Sequence, residues 1–242
     1  MSVIGTDLSV WQSDVDFATM KAAGAEYVIC RAAYALAPDA RFPEYWQAAK
    51  AAGLLRGAYH YMTWDRDLVS QANLFVQTLK ADPGELPVVV DFEMQKGAPA
   101  NASTKLRQFC DIIEAGLGRV PMIYTGPYFW LEHGSEDASW KHYPLWIANY
   151  GVDHPQVPAP WADYAFWQYT DRGDGHKYGV SSEQIDLDLF NGNMDDLRKL
   201  AGLGDVPPVT EPTDAEKLDV LWAEYVKEHP AATINFPAVA NG

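Results

Sequence analysis

Residues 87–93 read Pro-Val-Val-Val-Asp-Phe-Glu, three consecutive β-branched residues running straight into two acids. An unbroken apolar run of this kind fits a strand covered on both faces, as in a parallel α/β sheet. Successive side chains of a strand alternate, so Asp91 and Glu93, two positions apart, point to the same side. The stretch therefore predicts a central strand that delivers two carboxylates together at its C-terminal end.

Strand-like runs and helical patterns alternate on either side of it. Residues 2–8, 26–31 and 55–62 read as strands, and residues 14–24, 43–52, 67–81 and 103–117 as helices. Gly24, Gly53 and Gly118 close three of these helices, and Asp82-Pro83-Gly84 closes the fourth. Further strands are expected at 121–125, 144–148, 165–169 and 184–189, the last three separated by loops with little helix. Eight strand-like runs at this length predict an α/β fold. It is an irregular barrel of up to eight mostly parallel strands, with helices reduced in the C-terminal half. The Asp-Arg-Gly-Asp-Gly stretch at 171–175 reads as a turn.

The chain has 242 residues, 18 basic and 33 acidic side chains, and a net charge of −15. That balance argues against a nucleic-acid partner, which needs basic stripes, and against adhesion to an anionic membrane surface. No apolar run is long enough to span a bilayer, and the first residues lack the basic region of a signal peptide. A product made in the cytoplasm is the expectation. Cys30 and Cys110 sit in apolar segments and read as buried thiols. Nine Trp and 13 Tyr exceed what a core of this size obviously needs, and flat aromatic faces suit sugar rings.

In a barrel of parallel strands the chemistry gathers at the C-terminal strand ends. Those ends carry Asp7, then Tyr59, His60 and Tyr61, then Asp91 and Glu93, then Tyr124, Trp146, Gln168, and finally Asp186 and Asp188. Two carboxylates beside aromatic walls push one pKa up by repulsion and desolvation. Glycoside hydrolysis needs that: one protonated acid for the leaving oxygen and one anion for the charge developing on the sugar. Asp7 and Asp186 read as groove acids, with turn-capping or salt-bridged acids as the alternative. His60 alternates out of the face of its two tyrosine neighbours and reads as a core histidine. The histidines and cysteines show no zinc spacing, so neither metal nor cofactor is expected.

Seven motifs occur in order: Asp7-Leu-Ser-Val-Trp11-Gln12, Gly57-Ala-Tyr59-His60-Tyr61, Asp91-Phe-Glu93, Ile123-Tyr124-Thr125, Leu145-Trp146-Ile147-Ala148, Trp167-Gln168-Tyr169 and Ile185-Asp186-Leu-Asp188. Together they resemble glycoside hydrolase family 25, the muramidases of the N,O-diacetylmuramidase type. The resemblance spans about residues 3–200. It implies a flattened β/α barrel that cleaves the β-1,4 bond between N-acetylmuramic acid and N-acetylglucosamine, with peptidoglycan glycan strands as partner. By motif, Glu93 resembles the general acid/base and Asp91 the carboxylate that orients the substrate N-acetyl group as internal nucleophile. Asp7 and Asp186 resemble the flanking catalytic acids. Tyr59, Tyr61, Tyr124, Trp146, Gln168 and Asp188 resemble substrate-binding positions. Asp188 stands where the family often has Asn, which leaves its division of labour with Asp186 open.

Two rivals are a chitin-type barrel hydrolase and a barrel that binds glycans without cleaving them. Val88–Val90 disfavour the first, whose strand carries further acids there. The presence of Asp7, Asp91, Glu93 and Asp186 together disfavours the second. A wall-degrading enzyme without an export signal fits a phage endolysin, acting on the wall after release. The expected organisation is a catalytic barrel over 1–203, a proline-rich linker over 204–214, and a short tail over 215–242. The tail contains an amphipathic helix at 215–228.

Overall fold

The structure, a computed structural model, describes residues 3–204. The linker and the tail helix expected after that point lie outside the described residues. The strands are β1 (Val3–Leu8), β2 (Tyr27–Tyr34), β3 (Ala37–Pro38), β4 (Leu55–Tyr61), β5 (Val89–Asp91), β6 (Met122–Thr125), β7 (Leu145–Ala148), β8 (Phe166–Asp174) and β9 (Gln184–Phe190). The helices are α1 (Phe17–Ala22), α2 (Phe42–Ala51), α3 (Leu68–Leu79), α4 (Ala102–Leu117), α5 (Pro127–His133) and α6 (Met194–Leu200).

Eight strands close into a barrel in the order β1-β9-β8-β7-β6-β5-β4-β2, sealed by the β1–β2 pairing, while β3 hangs on the outer side of β2. Every junction from β1 through β2 and on to β8 is parallel. Within the barrel only β9 runs antiparallel, to β8 on one side and β1 on the other. The reason is connection length: residues 175–183 hold no more than a single 3-10 turn, too little chain for a parallel crossover.

The expected irregular α/β barrel is what the chain forms, with three differences. β3 is a ninth strand, a two-residue extension paired through Ala33–Pro38 and Tyr34–Ala37. The seven-residue helices α5 and α6 are too short to show periodicity, although Pro127 at the first turn and the Asn193–Asp196 capping box mark their starts. Arg172-Gly173-Asp174 is not a turn. It continues β8, with Gly173 opposite Ile185 and Asp174 opposite Gln184 across two register shifts, and Gly173 leaves room for the Leu187 side chain.

The triple valine explains itself in this setting. Val88 and Val90 face the helices and pack with Phe75, Phe109 and Ile113, whereas Val89 faces the barrel interior with Tyr27, Ile29 and Phe166. Asp91 follows Val89 on the inward face. Gly5 serves the same interior: a β-carbon there would lie 2.3 Å from the Tyr27 ring, which crosses the barrel floor. Cys30 and Cys110 are buried free thiols.

Candidate active site

The strand ends surround a cavity of about 290 Å³. Asp7, Tyr59, Tyr61, Asp91, Glu93, Tyr124, Trp146, Gln168 and Asp186 all line it. β1 contributes Asp7, β4 the two tyrosines, β5 Asp91 with Glu93 just beyond, β6 Tyr124, β7 Trp146, β8 Gln168 and β9 Asp186. Each arrives by the same rule, alternate inward positions at the C-terminal end of a strand; β9, being antiparallel, presents Asp186 from its N-terminal half.

Burial and proximity oppose simultaneous charge on these acids. Burial pushes Asp91 well above the usual carboxylate range, Glu93's charge adds to this, and Arg31 alone works against it. Glu93 is raised by burial and then by Asp186, with the Tyr124 hydroxyl pulling the other way. Asp186 is pushed up to about 6 by burial and by Asp171. Asp7 is raised well above its ordinary value by burial and the charges of Asp186 and Asp188. Burial and mutual repulsion therefore favour the protonated carboxyl in this site, the condition for acid catalysis. Burial also raises Tyr59, Tyr61 and Tyr124, so these hydroxyls stay neutral donors.

Gln168 ties three walls together. Its Nε2 donates to Asp7 Oδ2 at 2.5 Å. Its Oε1 accepts from Tyr124 at 2.8 Å and from Tyr150 at 2.5 Å. With both ends of the amide engaged, Gln168 acts on a substrate chiefly by positioning Asp7 and the two tyrosines.

Asp188 does not reach the cavity. It is fully buried behind Trp146, whose indole N–H donates to Asp188 Oδ1 at 2.9 Å, and Oδ2 has no partner. Burial and then Asp186 raise its pKa well above 3.8. A carboxyl raised on folding gives stability that is full below about pH 4 and is lost as pH rises toward its folded value. Asp188→Asn keeps the acceptor for Trp146 and cannot ionise. Its Tm should match the parent's at pH 4 and exceed it at pH 8 by about 3 °C or more, since 1 kcal/mol moves a domain of this size by a few degrees. Differential scanning fluorimetry reads both values. An equal gain at both pH values would place the effect in packing, not in ionisation.

His60 lies outside the cavity, between Phe75 and Phe109 with Nε2 at 3.4 Å from Gln71 Oε1, and burial pushes it down to about 4. Five lining residues were not among the site candidates: Ser9, Trp11, Gln12, Arg31 and Tyr150. Arg31 closes the strand expected over residues 26–31, and that position is the signal it offered; in the structure β2 runs three residues further, to Tyr34. Ser9, Trp11 and Gln12 stood in the first motif, directly after the strand that ends in Asp7; Tyr150 gave no signal. The aromatic excess is mostly structural: Trp46, Trp130, Trp140 and Trp161 are buried between barrel and helices, and among the described tryptophans only Trp11 and Trp146 line the cavity. Among the described residues no group of three or more His, Cys, Asp or Glu is placed to hold a metal ion.

Comparison with known proteins places this arrangement. Residues 6–177 match the model of glycosyl hydrolases family 25. An N,O-diacetylmuramidase of Arthroderma benhamiae is 30% identical over 212 residues, covering 83% of this chain and 87% of that protein. A bacterial lysozyme from Streptomyces coelicolor superposes with a TM-score of 0.73 at 30% identity, covering 83% and 97% of the two chains. The catalytic domain of an endolysin from a bacteriophage of Listeria monocytogenes superposes with a TM-score of 0.68 at 26% identity, covering 84% and 98%. Since the family match takes in well over half of the sequence, and the motifs that carry it are the residues gathered around this cavity, the chain belongs to glycosyl hydrolases family 25.

Proposed function

We propose that this glycoside hydrolase is a muramidase. It cleaves the β-1,4 bond between N-acetylmuramic acid and N-acetylglucosamine in peptidoglycan, with retention of configuration. The observation that carries the reading is the convergence of Asp91 and Glu93 on one desolvated cavity walled by neutral tyrosines. The relatives named N,O-diacetylmuramidase and lysozyme support the substrate class.

Glu93, less buried than Asp91 and raised by burial and then by Asp186, carries the proton given to the leaving glycosidic oxygen. Asp91 sits deeper, with Oδ1 unpartnered, and as the anion accepts the acetamido N–H of the sugar. Burial opposes that anion, while a protonated Glu93 removes the repulsion that also opposes it and Arg31's charge favours it. The acetamido carbonyl oxygen bonds to the anomeric carbon as the leaving oxygen departs. Glu93, now ionised, takes a proton from the water that opens the cyclic intermediate. Two inversions give net retention. Proton NMR of the first-formed product anomer tests this: a β-anomer at early times is expected, and an α-anomer contradicts it.

The enzyme is made in the cytoplasm and works on the wall after release, during lysis of a host cell. Its similarity to the Listeria phage endolysin domain supports this setting. Expression inside a bacterium should leave cells intact until a membrane-permeabilising protein is co-expressed. Lysis by the enzyme alone contradicts the setting.

A further inference from the structure

Beside the groove, β2 and β3 form a hairpin that barrel closure does not need. Its turn holds Ala35 at φ 51°, in the left-handed region that a β-carbon disfavours. Strain of this kind persists where surrounding structure enforces it, and clusters at functional sites. The hairpin stacks Tyr34 on Tyr61, ring centroids 4.9 Å apart, and frames a second cavity of about 450 Å³. Trp11, Tyr34, Ala37 and Pro38 form its apolar wall, and Arg31 stands at its junction with the catalytic groove. Trp11 and Arg31 line both cavities, so the two are adjacent. Trp11 is 76% exposed, with Tyr34 and Leu36 also open to solvent.

Arg31 is the one cation among the described residues lining the groove. Its Nε donates to Asp39 Oδ2 at 2.8 Å, and the backbone N–H groups of Val10 and Arg41 hold Asp39 in place. The guanidinium plane is thereby fixed. Its two terminal nitrogens make no hydrogen bond to the described residues, although the side chain is 11% exposed. A pre-oriented fork of donors beside an apolar wall, bordering a sugar groove, suits a short peptide with alkyl side chains, carbonyls and a carboxylate.

We infer that this second cavity binds the peptide stem carried on the lactyl group of the muramic acid. The Arg31 fork holds a carboxylate or carbonyl oxygen of the stem, and Trp11, Tyr34 and Pro38 pack its alkyl groups. The inference rests on the muramidase reading.

The test compares kcat/KM on purified glycan strands with their stems intact and on the same strands stripped by an amidase. The parent should favour stem-bearing strands by about tenfold, the scale of one charge-assisted hydrogen bond. Arg31→Gln and Tyr34→Ala should each bring that ratio toward one. A purely structural or electrostatic effect lowers both rates and leaves the ratio standing; that result overturns the inference. So does a parent indifferent to the stem, which would give the cavity to a further sugar. A parent that cleaves neither substrate overturns the muramidase reading itself, and this inference with it.

Discussion

Glu93→Gln should lower kcat on purified peptidoglycan by about 10³-fold or more, the scale of losing a positioned acid in a desolvated site. The amide fills the same volume and has no proton to give. The fold should be unaffected, because the substitution removes a group whose ionisation is opposed by burial and by Asp186. Its Tm should equal or exceed the parent's. In the parent, kcat/KM should fall as pH rises through Glu93's raised value, since the anion cannot protonate the leaving oxygen. Asp186 supplies part of that rise, so Asp186→Asn should move the alkaline limb to lower pH. Turbidity loss and circular dichroism on the same preparations check these points. A folded Glu93→Gln protein that still clears walls at a tenth of the parent rate would remove Glu93 from the role of acid.

Asp91→Asn should cost about 10²–10³-fold in kcat with KM little changed, the range found when one preorganised electrostatic contact to a developing charge is lost. The amide cannot serve as the anion for the acetamido N–H, and it competes as a donor. Burial should make the variant at least as stable as the parent at pH 8, because a fully buried carboxyl with an unpartnered oxygen is replaced by a neutral group. Steady-state kinetics on soluble glycan strands separates the two parameters. A rise in KM at constant kcat would make Asp91 a binding residue without a part in the transition state.

The centre of the site was legible because it rests on one local rule. Period-two alternation carries Val89 and Asp91 to the barrel interior and brings Glu93 to the same cavity, and the valine run says that the strand is enclosed. Asp7, Tyr59 and Tyr61 follow from the same rule on β1 and β4. What the sequence hid depends on contacts far apart in the chain. β9 reverses direction because its connection is short, while its composition matches that of the parallel strands. Arg31 looks like any strand-end arginine until Asp39, eight residues on, folds back through the β3 hairpin and fixes its plane. Asp188 reads as one more groove acid, since a strand pattern does not show that Trp146 stands between it and the cavity. The tryptophans misled for the opposite reason: Trp130 packs against Trp140 and Trp161 as core, and composition alone does not separate core rings from groove rings.

The central claim is that the pair Asp91 and Glu93 cuts the glycan on the reducing side of muramic acid. Tandem mass spectrometry of borohydride-reduced digestion products of purified peptidoglycan reads that bond directly. Fragments ending in reduced N-acetylmuramic acid, absent when Glu93→Gln is used, are the predicted result. Fragments ending in reduced N-acetylglucosamine, or intact strands, would contradict it.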